Sequence, residues 1–248
     1  MFLFLFSWIS LLSLSTIGLF PQMNLFHIFM GLLTLIASGI LNYFVSKLAV
    51  EKYKIEYIQP TKRGTSNVDQ DLYKVYVPIS FFETIAFTAW PWAIVPTLKN
   101  ISWSWNSIGF SNTIIAYFSS LLLYDFIYYA GHYLMHKDSF YYKHIHKIHH
   151  QLTAPDHMCD SLYIHPLELF IFLWPQVLPV YLINMHILTV WAYFFSIFAV
   201  TSMYHVGIRF PSFLPLLSPK FHDDHHRLNN VNFSFFTEIP DYLFGTKS

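Results

Sequence analysis

Residues 111–150 read SNTIIAYFSSLLLYDFIYYAGHYLMHKDSFYYKHIHKIHH. The first half is close to the length of apolar chain, about 20 residues, that an α-helix needs to cross the hydrocarbon core of a bilayer. The second half is polar and contains six histidines. Since this polar part follows the apolar part directly, the stretch predicts a membrane span that ends in a histidine-rich segment at the membrane surface.

The composition of the whole chain supports a membrane protein. Of the 248 residues, 54% are hydrophobic and only 11% are charged, whereas charged residues make up about a quarter of a typical soluble domain. The chain has 14 basic and 14 acidic residues, so no basic field suggests a nucleic-acid partner. The single cysteine, Cys159, excludes an internal disulfide and a CxxC metal site. The unusual count is the 14 histidines, whose ring nitrogens must find partners in such a chain.

Apolar stretches of near-spanning length recur along the chain. They are Met1–Phe20, Asn24–Ser46, Pro78–Leu98, Ser111–Gly131, Leu167–Ile187 and Leu188–Tyr204. We expect Met1–Phe20 to be a retained span rather than a signal peptide, because it has no basic start and no small-residue cleavage site. Pro175 and Pro179 interrupt the fifth stretch, so the last two are either two full spans or a shallower hairpin. The predicted fold is all-α, a polytopic membrane protein with four to six apolar segments.

One integral membrane domain is predicted for residues 1–248, with 1–120 mainly a membrane anchor and 121–248 a histidine-box catalytic region. Two crossings separate segments 47–77 and 132–166, which therefore lie on one side, and the chain from His205 onward returns to that side. Thirteen of the 14 Lys and Arg residues fall there, and Lys99 falls opposite. The positive-inside rule makes the shared side cytosolic, so we predict a cytosolic histidine-rich cap.

The histidines of this cap are spaced as metal ligands. Three boxes and two single histidines at span ends give ten candidate ligands: His132, His136, His146, His149, His150, His165, His205, His222, His225 and His226. Residues i, i+3 and i+4 share one face of a helix, so each box is expected to aim its rings at one point. One zinc ion takes about four ligands, so ten suggest two ions with open positions. Imidazole suits zinc, copper, iron and nickel, which leaves the metal open.

Two acids are candidates to support these ligands. Asp125 lies seven residues before His132 on the same span, where a carboxylate can accept the second ring N–H of a ligand and fix its tautomer. The alternative is an acid at the interface that faces water. Glu168 is the candidate partner of His165 in the same way. The remaining histidines, His27, His144, His157 and His186, have no box spacing and are expected to be hydrogen-bonded polar residues.

The three boxes HxxxH, HxxHH and HxxHH resemble the fatty acid hydroxylase/sterol desaturase superfamily. The finer resemblance is to C-4 methylsterol monooxygenases, and it extends from about Ser120 to the C-terminus. Its features in this chain are Asp125, His146–His150 followed by Ala154-Pro155, His165–Glu168, His205 with Gly207, Asn232, Asp241 and Phe244-Gly245-Thr246. Departures from that pattern, such as Ile239-Pro240 in place of an aromatic pair, leave the substrate open among sterols, because sterol hydroxylases and C-5 sterol desaturases share much of it.

The resemblance implies a non-haem di-iron oxygenase acting on a sterol or related lipid, with Asn232 and Asp241 as further supporting residues. It implies two iron ions (zinc being possible in a structure), O2, and electrons from NAD(P)H through a separate reductase and a b-type cytochrome. The expected location is the endoplasmic reticulum in a eukaryote or the inner membrane in a bacterium. Four basic residues of the cap either dock an acidic donor or are solvated interfacial lysines: Lys137, Lys143, Lys147 and Lys220.

Other functions on the same residues make different demands. A zinc hydrolase would need an activated water but neither O2 nor a reductant. A haem-binding electron carrier would need paired histidines within facing spans, and a metal transporter would need ligands at mid-membrane depth. The boxes instead flank the spans. The sequence therefore favours an oxygenase, with a sterol or fatty acid hydroxylase or desaturase of the same superfamily as the alternative to C-4 methylsterol oxidation.

Overall fold

The computed structural model describes residues 25–62, 68–94, 99–102, 109–210 and 218–248. The predicted span Met1–Phe20 lies outside these residues. The helices within them are α1 Leu25–Glu51, α2 Gln70–Ile94, α3 Phe110–Lys137, α4 Ser139–His144, α5 Pro166–Leu173, α6 Leu178–Leu182, α7 Ile187–Tyr204, α8 Pro219–Leu228 and α9 Ile239–Phe244. Short 3₁₀ helices occupy Pro60–Lys62, His146–Gln151, Met158–Leu162 and Trp174–Val177. The all-α prediction is confirmed.

Within the described residues, three helical segments are long and apolar enough to cross a bilayer: Leu32–Glu51, Asn112–Lys137 and Ile187–Tyr204. They lie in α1, α3 and α7 and coincide with three of the predicted spans. Many of their large apolar side chains point away from the protein; the exposed fraction of Ile115, for example, is 62%. Such faces are unfavourable in water but suit a lipid environment, so the chain is a membrane protein.

One of the predicted spans is interrupted in the structure, and another is described only in part. Leu167–Ile187 is divided into α5, a 3₁₀ helix that contains Pro175, and α6, which has Pro179 in its first turn. Proline supplies no backbone N–H for the helical ladder, and Pro166–Leu182 is a shorter apolar segment rather than a full span. Pro78–Leu98 lies largely in α2, which continues through Pro91. Its last residues, 95–98, lie outside the described part of the chain, so this span stays a prediction.

The hydrophobic core lies between α3 and α7 and is rich in aromatic residues. Tyr124 of α3 contacts Tyr193 of α7 and Phe235 edge to face, and all three are almost fully buried. At one end of these helices, β1 (Ile101–Ser102) pairs in parallel with β2 (Met185–His186). This contact joins the α2–α3 connection to the start of α7, so it fixes the end of the helices that is opposite to the histidines.

The polar segments gather at the other end. Gln59 donates to the carboxylate of Asp223 at 2.9 Å, and the backbone N–H of Asp69 donates to the side chain of Gln151. The N–H of Ile58 donates to a carbonyl in the turn after α7. Segments 47–77, 132–166 and 205 onward therefore share one end, as the count of spans predicts. We call this end the polar cap.

Candidate metal centre

Nine of the ten predicted ligand histidines form two compact groups in the polar cap. The five-histidine group consists of His132, His136, His146, His150 and His225. The four-histidine group consists of His149, His205, His222 and His226. Within each group, the candidate ligand nitrogens lie within 4.8 Å of one another. The groups adjoin, because the ring centroids of His150 and His226 are 4.9 Å apart.

The second and third boxes each supply both groups. In each of these boxes the first and last histidines face one group and the middle histidine faces the other. Thus His146 and His150 belong to the five-histidine group, whereas His149 belongs to the four-histidine group. Likewise His222 and His226 belong to the four-histidine group, whereas His225 belongs to the five-histidine group. The expectation that each box aims at a single point was wrong. On an α-helix such as α8, positions i+3 and i+4 are about 100° apart, which is enough to direct neighbouring rings to two centres.

Burial favours the neutral, metal-binding form of these rings. Eight of the nine are less than one-tenth exposed, and His136 is partly buried. Burial and then the neighbouring imidazole of His205 lower the pKa of His149 to about 4. Burial likewise lowers the pKa of His205 to about 4. Both imidazoles are therefore uncharged at neutral pH, so one ring nitrogen of each has a lone pair available for a cation.

Backbone carbonyls determine which nitrogen of four rings has that lone pair. The Nδ1–H of His132 donates to the carbonyl of Phe233 at 2.9 Å, and that of His225 donates to Val231 at 2.7 Å. In the four-histidine group, the Nδ1–H groups of His149 and His205 donate to carbonyls 3.0 and 2.9 Å away. Because a carbonyl oxygen can only accept, each of these rings has its proton on Nδ1 and a bare Nε2.

The bare nitrogens converge at distances that fit a shared cation. The Nε2 atoms of His149 and His205 are 3.3 Å apart; neither has a proton, so they cannot form a hydrogen bond and repel each other. Other neighbouring Nε2 pairs within the groups are separated by 2.8 to 3.3 Å. Ligands about 2.1 Å from one metal ion have nitrogens about 3.0 Å apart at right angles and about 3.4 Å apart in a tetrahedron. Both groups therefore fit one metal ion each.

The donor set restricts the metal. Among the described residues, neither group contains a carboxylate or a thiolate, so the hard oxygen-seeking ions magnesium and calcium are disfavoured. Imidazole nitrogens suit iron, zinc, copper and nickel. Five and four protein ligands leave positions open in a six-coordinate ion, which is the arrangement that redox chemistry on a bound molecule requires.

Asp125 supports the five-histidine group through the backbone rather than through a ring. It is fully buried and accepts hydrogen bonds from the N–H groups of Phe235, Phe236 and Thr237 and from the Thr237 hydroxyl, at 2.5 to 2.9 Å. The prediction that it contacts a ligand histidine was therefore wrong, as was the alternative of an acid in water. Its carboxylate instead fixes the segment that contains the carbonyl partner of His132.

Asp241 and Asn232 hold the same segment from its other side. Asp241 accepts from the N–H groups of Phe233 and Ser234 at 2.8 and 2.7 Å. Asn232 lies in the left-handed region, with φ 60°, and donates to the carbonyl of Phe221 in α8 at 3.1 Å. Residues 231–237, which we call the carbonyl segment, thus bind ring N–H groups from α3 and α8 and are held by three buried polar side chains.

Glu168 and His165 do not form the predicted pair. Glu168 is buried and accepts from Nδ1 of His146 at 2.5 Å, so it supports the five-histidine group directly. His165 lies outside both groups, and its Nδ1 accepts from the N–H of Leu167 at the start of α5. Of the ten predicted ligands, His165 is therefore withdrawn, and the other nine stay candidate ligands. Helix capping also explains His157 and His186, which accept from the N–H groups of Cys159 and Leu188.

Aromatic residues that the sequence analysis did not single out surround the histidines. Tyr204 stacks on His222 with centroids 5.2 Å apart, and its hydroxyl donates to the carbonyl of Phe235. The ring centroids of Tyr128 and His132 are 5.2 Å apart. Tyr128 precedes His132 by one helical turn, a signal that the i, i+4 rule provides. Tyr204 precedes His205, and no sequence pattern indicates its stacking.

Several known proteins have sequences similar to this chain. The family model described as fatty acid hydroxylase matches residues 117–246. Methylsterol monooxygenase 2-2 of Arabidopsis thaliana is 32% identical over 151 residues, 58% of this chain and 54% of the relative. A very-long-chain aldehyde decarbonylase of Oryza sativa subsp. japonica is 34% identical over 133 residues, which cover 50% of this chain and 49% of the relative. Fatty acid hydroxylase domain-containing protein 2 of Homo sapiens is 35% identical over 126 residues, which cover 50% of this chain and 36% of the relative. The chain spans about half the length of the first two relatives, and no solved structure matches it.

Proposed function

Because this chain belongs to the fatty acid hydroxylase family, we propose that it is a membrane-bound oxygenase that binds two iron ions and hydroxylates a sterol or related lipid. The observation that supports this most strongly is the pair of adjacent all-histidine groups at the end of apolar helices. A C-4 methylsterol is the proposed substrate, because the sequence pattern resembles those monooxygenases and Arabidopsis methylsterol monooxygenase 2-2 is among the similar relatives.

The protein's own residues would hold the metals and exclude water. The nine histidines would present lone pairs to two ions. Five of them are supported on their outer nitrogens: backbone carbonyls accept from His132, His149, His205 and His225, and Glu168 accepts from His146. These partners fix the direction of those five rings and raise their basicity. Burial of the groups limits access of bulk water to the reacting atoms. When bound, iron supplies the activation of O2 and the removal of hydrogen from an unactivated C–H bond.

The balance of the reaction requires an electron donor. Hydroxylating one C–H bond with one O2 consumes two electrons and two protons and releases one water. We propose that the electrons come from NAD(P)H through a separate reductase and a b-type cytochrome. The cap residues Lys137, Lys143 and Lys147 are exposed and suit an acidic surface of that donor, whereas Lys220 pairs with Asp224 within the protein. Solvated interfacial lysines are the alternative.

The proposed location follows from the substrate. A lipid substrate need not leave the membrane if the metal groups lie at the bilayer surface, where the apolar helices end. We propose that the polar cap faces the cytosol, with the protein in the endoplasmic reticulum of a eukaryote or in the inner membrane of a bacterium. Thirteen of 14 basic residues lie on the cap side of the predicted spans, which supports this orientation.

The test is an assay of the purified protein in lipid nanodiscs with a C-4 methylsterol, a reductase, a b-type cytochrome, NAD(P)H and ¹⁸O-labelled O2. We expect one labelled oxygen atom per product molecule and no product without O2 or reductant. Cells that lack the gene should accumulate C-4 methylsterols. Conversion of a lipid under strict anaerobiosis would contradict the proposal and favour a zinc hydrolase on the same ligands.

A long-chain aldehyde is the second candidate substrate. The rice aldehyde decarbonylase is as similar to this chain, at 34% identity over 133 residues, as the plant methylsterol monooxygenase. The same nanodisc assay with a long-chain aldehyde in place of the sterol distinguishes the two. If the protein consumed the aldehyde but not the sterol, the proposal of an oxygen-dependent metal centre would stand and the proposed substrate would change.

A further inference from the structure

A cleft of about 490 Å³ lies between α1, α3 and α7, outside the five-histidine and four-histidine groups, which are together called the metal groups below. Its walls include Leu41 of α1, Leu122 of α3 and Ala199 of α7, and its end nearest the polar cap is formed by Phe236 and Thr237. The volume is in the range of pockets that bind small organic molecules, about 300 to 1,000 Å³. The cleft thus runs along three helices and ends at the carbonyl segment.

Each hydroxyl that lines the cleft has a hydrogen-bond acceptor within the protein. The hydroxyl of Ser196 donates to the carbonyl of Ala192 at 2.8 Å, so the hydroxyl of Tyr117, 2.6 Å away, donates to Ser196. The hydroxyl of Thr237 donates to Asp125 at 2.5 Å. With these donors engaged, the cleft presents mainly hydrocarbon to a ligand. A chain or ring body without polar groups is the occupant that suits such a lining.

The cleft opens on the outward side of the helices. Leu41 and Phe118 line it, and their exposed fractions are 44% and 56%. Both lie in segments long and apolar enough to cross a bilayer. A lipid in the membrane can therefore reach the cleft sideways without passing through water.

At its inner end, a layer of packed aromatic rings separates the cleft from the two histidine groups. Phe236 contacts Phe235 with centroids 4.8 Å apart. Phe235 contacts Tyr204, which stacks on His222. Along α3, Tyr117 precedes His132 by 15 residues, or about 22 Å at 1.5 Å per residue. This is close to the length of an extended lipid chain or of a sterol with its side chain.

We propose that this cleft binds the hydrocarbon body of the lipid substrate, with its reactive end directed past Phe235 and Phe236 toward the histidines. The proposal rests on the proposed oxygenase function and adds where the substrate lies. Phe236 forms both the inner wall of the cleft and part of the aromatic layer below the metal groups, so its ring must move aside for a C–H bond to reach them.

The test measures binding without turnover. Wild-type protein in nanodiscs, with no reductant, is irradiated with a C-4 methylsterol that has a diazirine in its side chain, and labelled peptides are identified by mass spectrometry. Phosphatidylcholine with a diazirine in its acyl chain reports ordinary surrounding lipid. We expect saturable sterol labelling in segments 117–122 and 195–203, and competition by the unlabelled sterol.

A filled cleft provides the second measurement. Ala199→Phe inserts a ring into the cleft, and we expect it to reduce sterol labelling about tenfold or more while leaving the bound metal unchanged. The matched control, Ile115→Phe, places a ring on the exposed face of α3 outside the cleft and should leave labelling unchanged.

Two outcomes would overturn the cleft proposal. One is sterol labelling that does not saturate and matches the phosphatidylcholine pattern, which would mean surrounding lipid only. The other is equal labelling of folded, metal-loaded Ala199→Phe and wild type. If the wild type oxidised sterol but showed either result, the oxygenase function would stand without this cleft. Saturable labelling with no oxidation would support the cleft and contradict the oxygenase.

Discussion

His149 and His150 are adjacent in the chain but belong to different metal groups. The ring of His149 is held by the carbonyl of Tyr163, whereas the ring of His150 faces His146 and His225 at 3.0 Å. Neighbouring residues therefore provide a matched pair for separating the two centres.

We predict that His149→Ala loses about half of the bound metal, because the four-histidine group keeps three ligands while the other group remains intact. His150→Ala leaves four ligands in the five-histidine group and should lose less. Metal analysis of the purified variants measures this loss. Both variants should stay in the membrane, and His149→Ala should lose turnover. Loss of all metal in either variant would mean that the groups bind as one unit, and full activity of His149→Ala would remove that residue from the site.

Asp125→Asn tests the support of the carbonyl segment. The carboxylate accepts four hydrogen bonds, and an amide nitrogen in place of one oxygen would face buried N–H donors. We expect a loss of about 1–3 kcal/mol of unfolding free energy and weaker metal binding, measured by thermal unfolding and chelator competition. Asp71→Asn, at an exposed ion pair on α2, should change neither. Unchanged metal affinity in Asp125→Asn would show that the carbonyl segment does not need this anchor.

At the level of elements, the turn after α7 positions His205 against the segment that follows the second box. Gly207 has φ +65°, and a Cβ there would lie 2.6 Å from the carbonyl oxygen of Pro155. Gly245, after α9, has φ +68° but no atom within 4 Å of its Cβ position. The two glycines have the same backbone conformation and differ in their surroundings.

Gly207→Ala should therefore move the turn and release metal from the four-histidine group, which contains His205. Gly245→Ala should cost only the left-handed strain, about 1–2 kcal/mol, and keep both metals. Thermal unfolding and metal analysis of the two variants check this. Equal metal content in both would show that the turn accommodates a methyl group without displacing His205.

At the scale of the whole molecule, the fold predicts that the polar cap and Lys99 lie on opposite sides of the membrane. The three polar segments meet at one end, while Lys99 lies beside β1 at the opposite end. In a Cys159→Ser background, we expect a membrane-impermeant maleimide to label Lys143→Cys from the cytosolic side only and Lys99→Cys from the other side only. Cytosolic labelling of both residues would contradict the crossing of α3.

The sequence by itself determined the membrane class, the common side of the boxes and the nine histidines that gather into the two groups. These follow from local properties: apolar length sets where the chain can cross a bilayer, and repeated imidazoles at its ends indicate metal. The number of spans was less predictable. Proline positions favoured a break in Leu167–Ile187 but left open whether that stretch was a full span or a short hairpin.

Only the tertiary structure decided which histidine belongs to which of the two groups and which polar partner supports its ring. Glu168 meets His146 instead of the nearby His165, and Asp125 meets backbone 110 residues away. These pairings depend on how α3, α5 and the carbonyl segment pack, because a buried polar group takes whatever partner packing brings within reach. Residue spacing along one helix contains no information about that distant backbone.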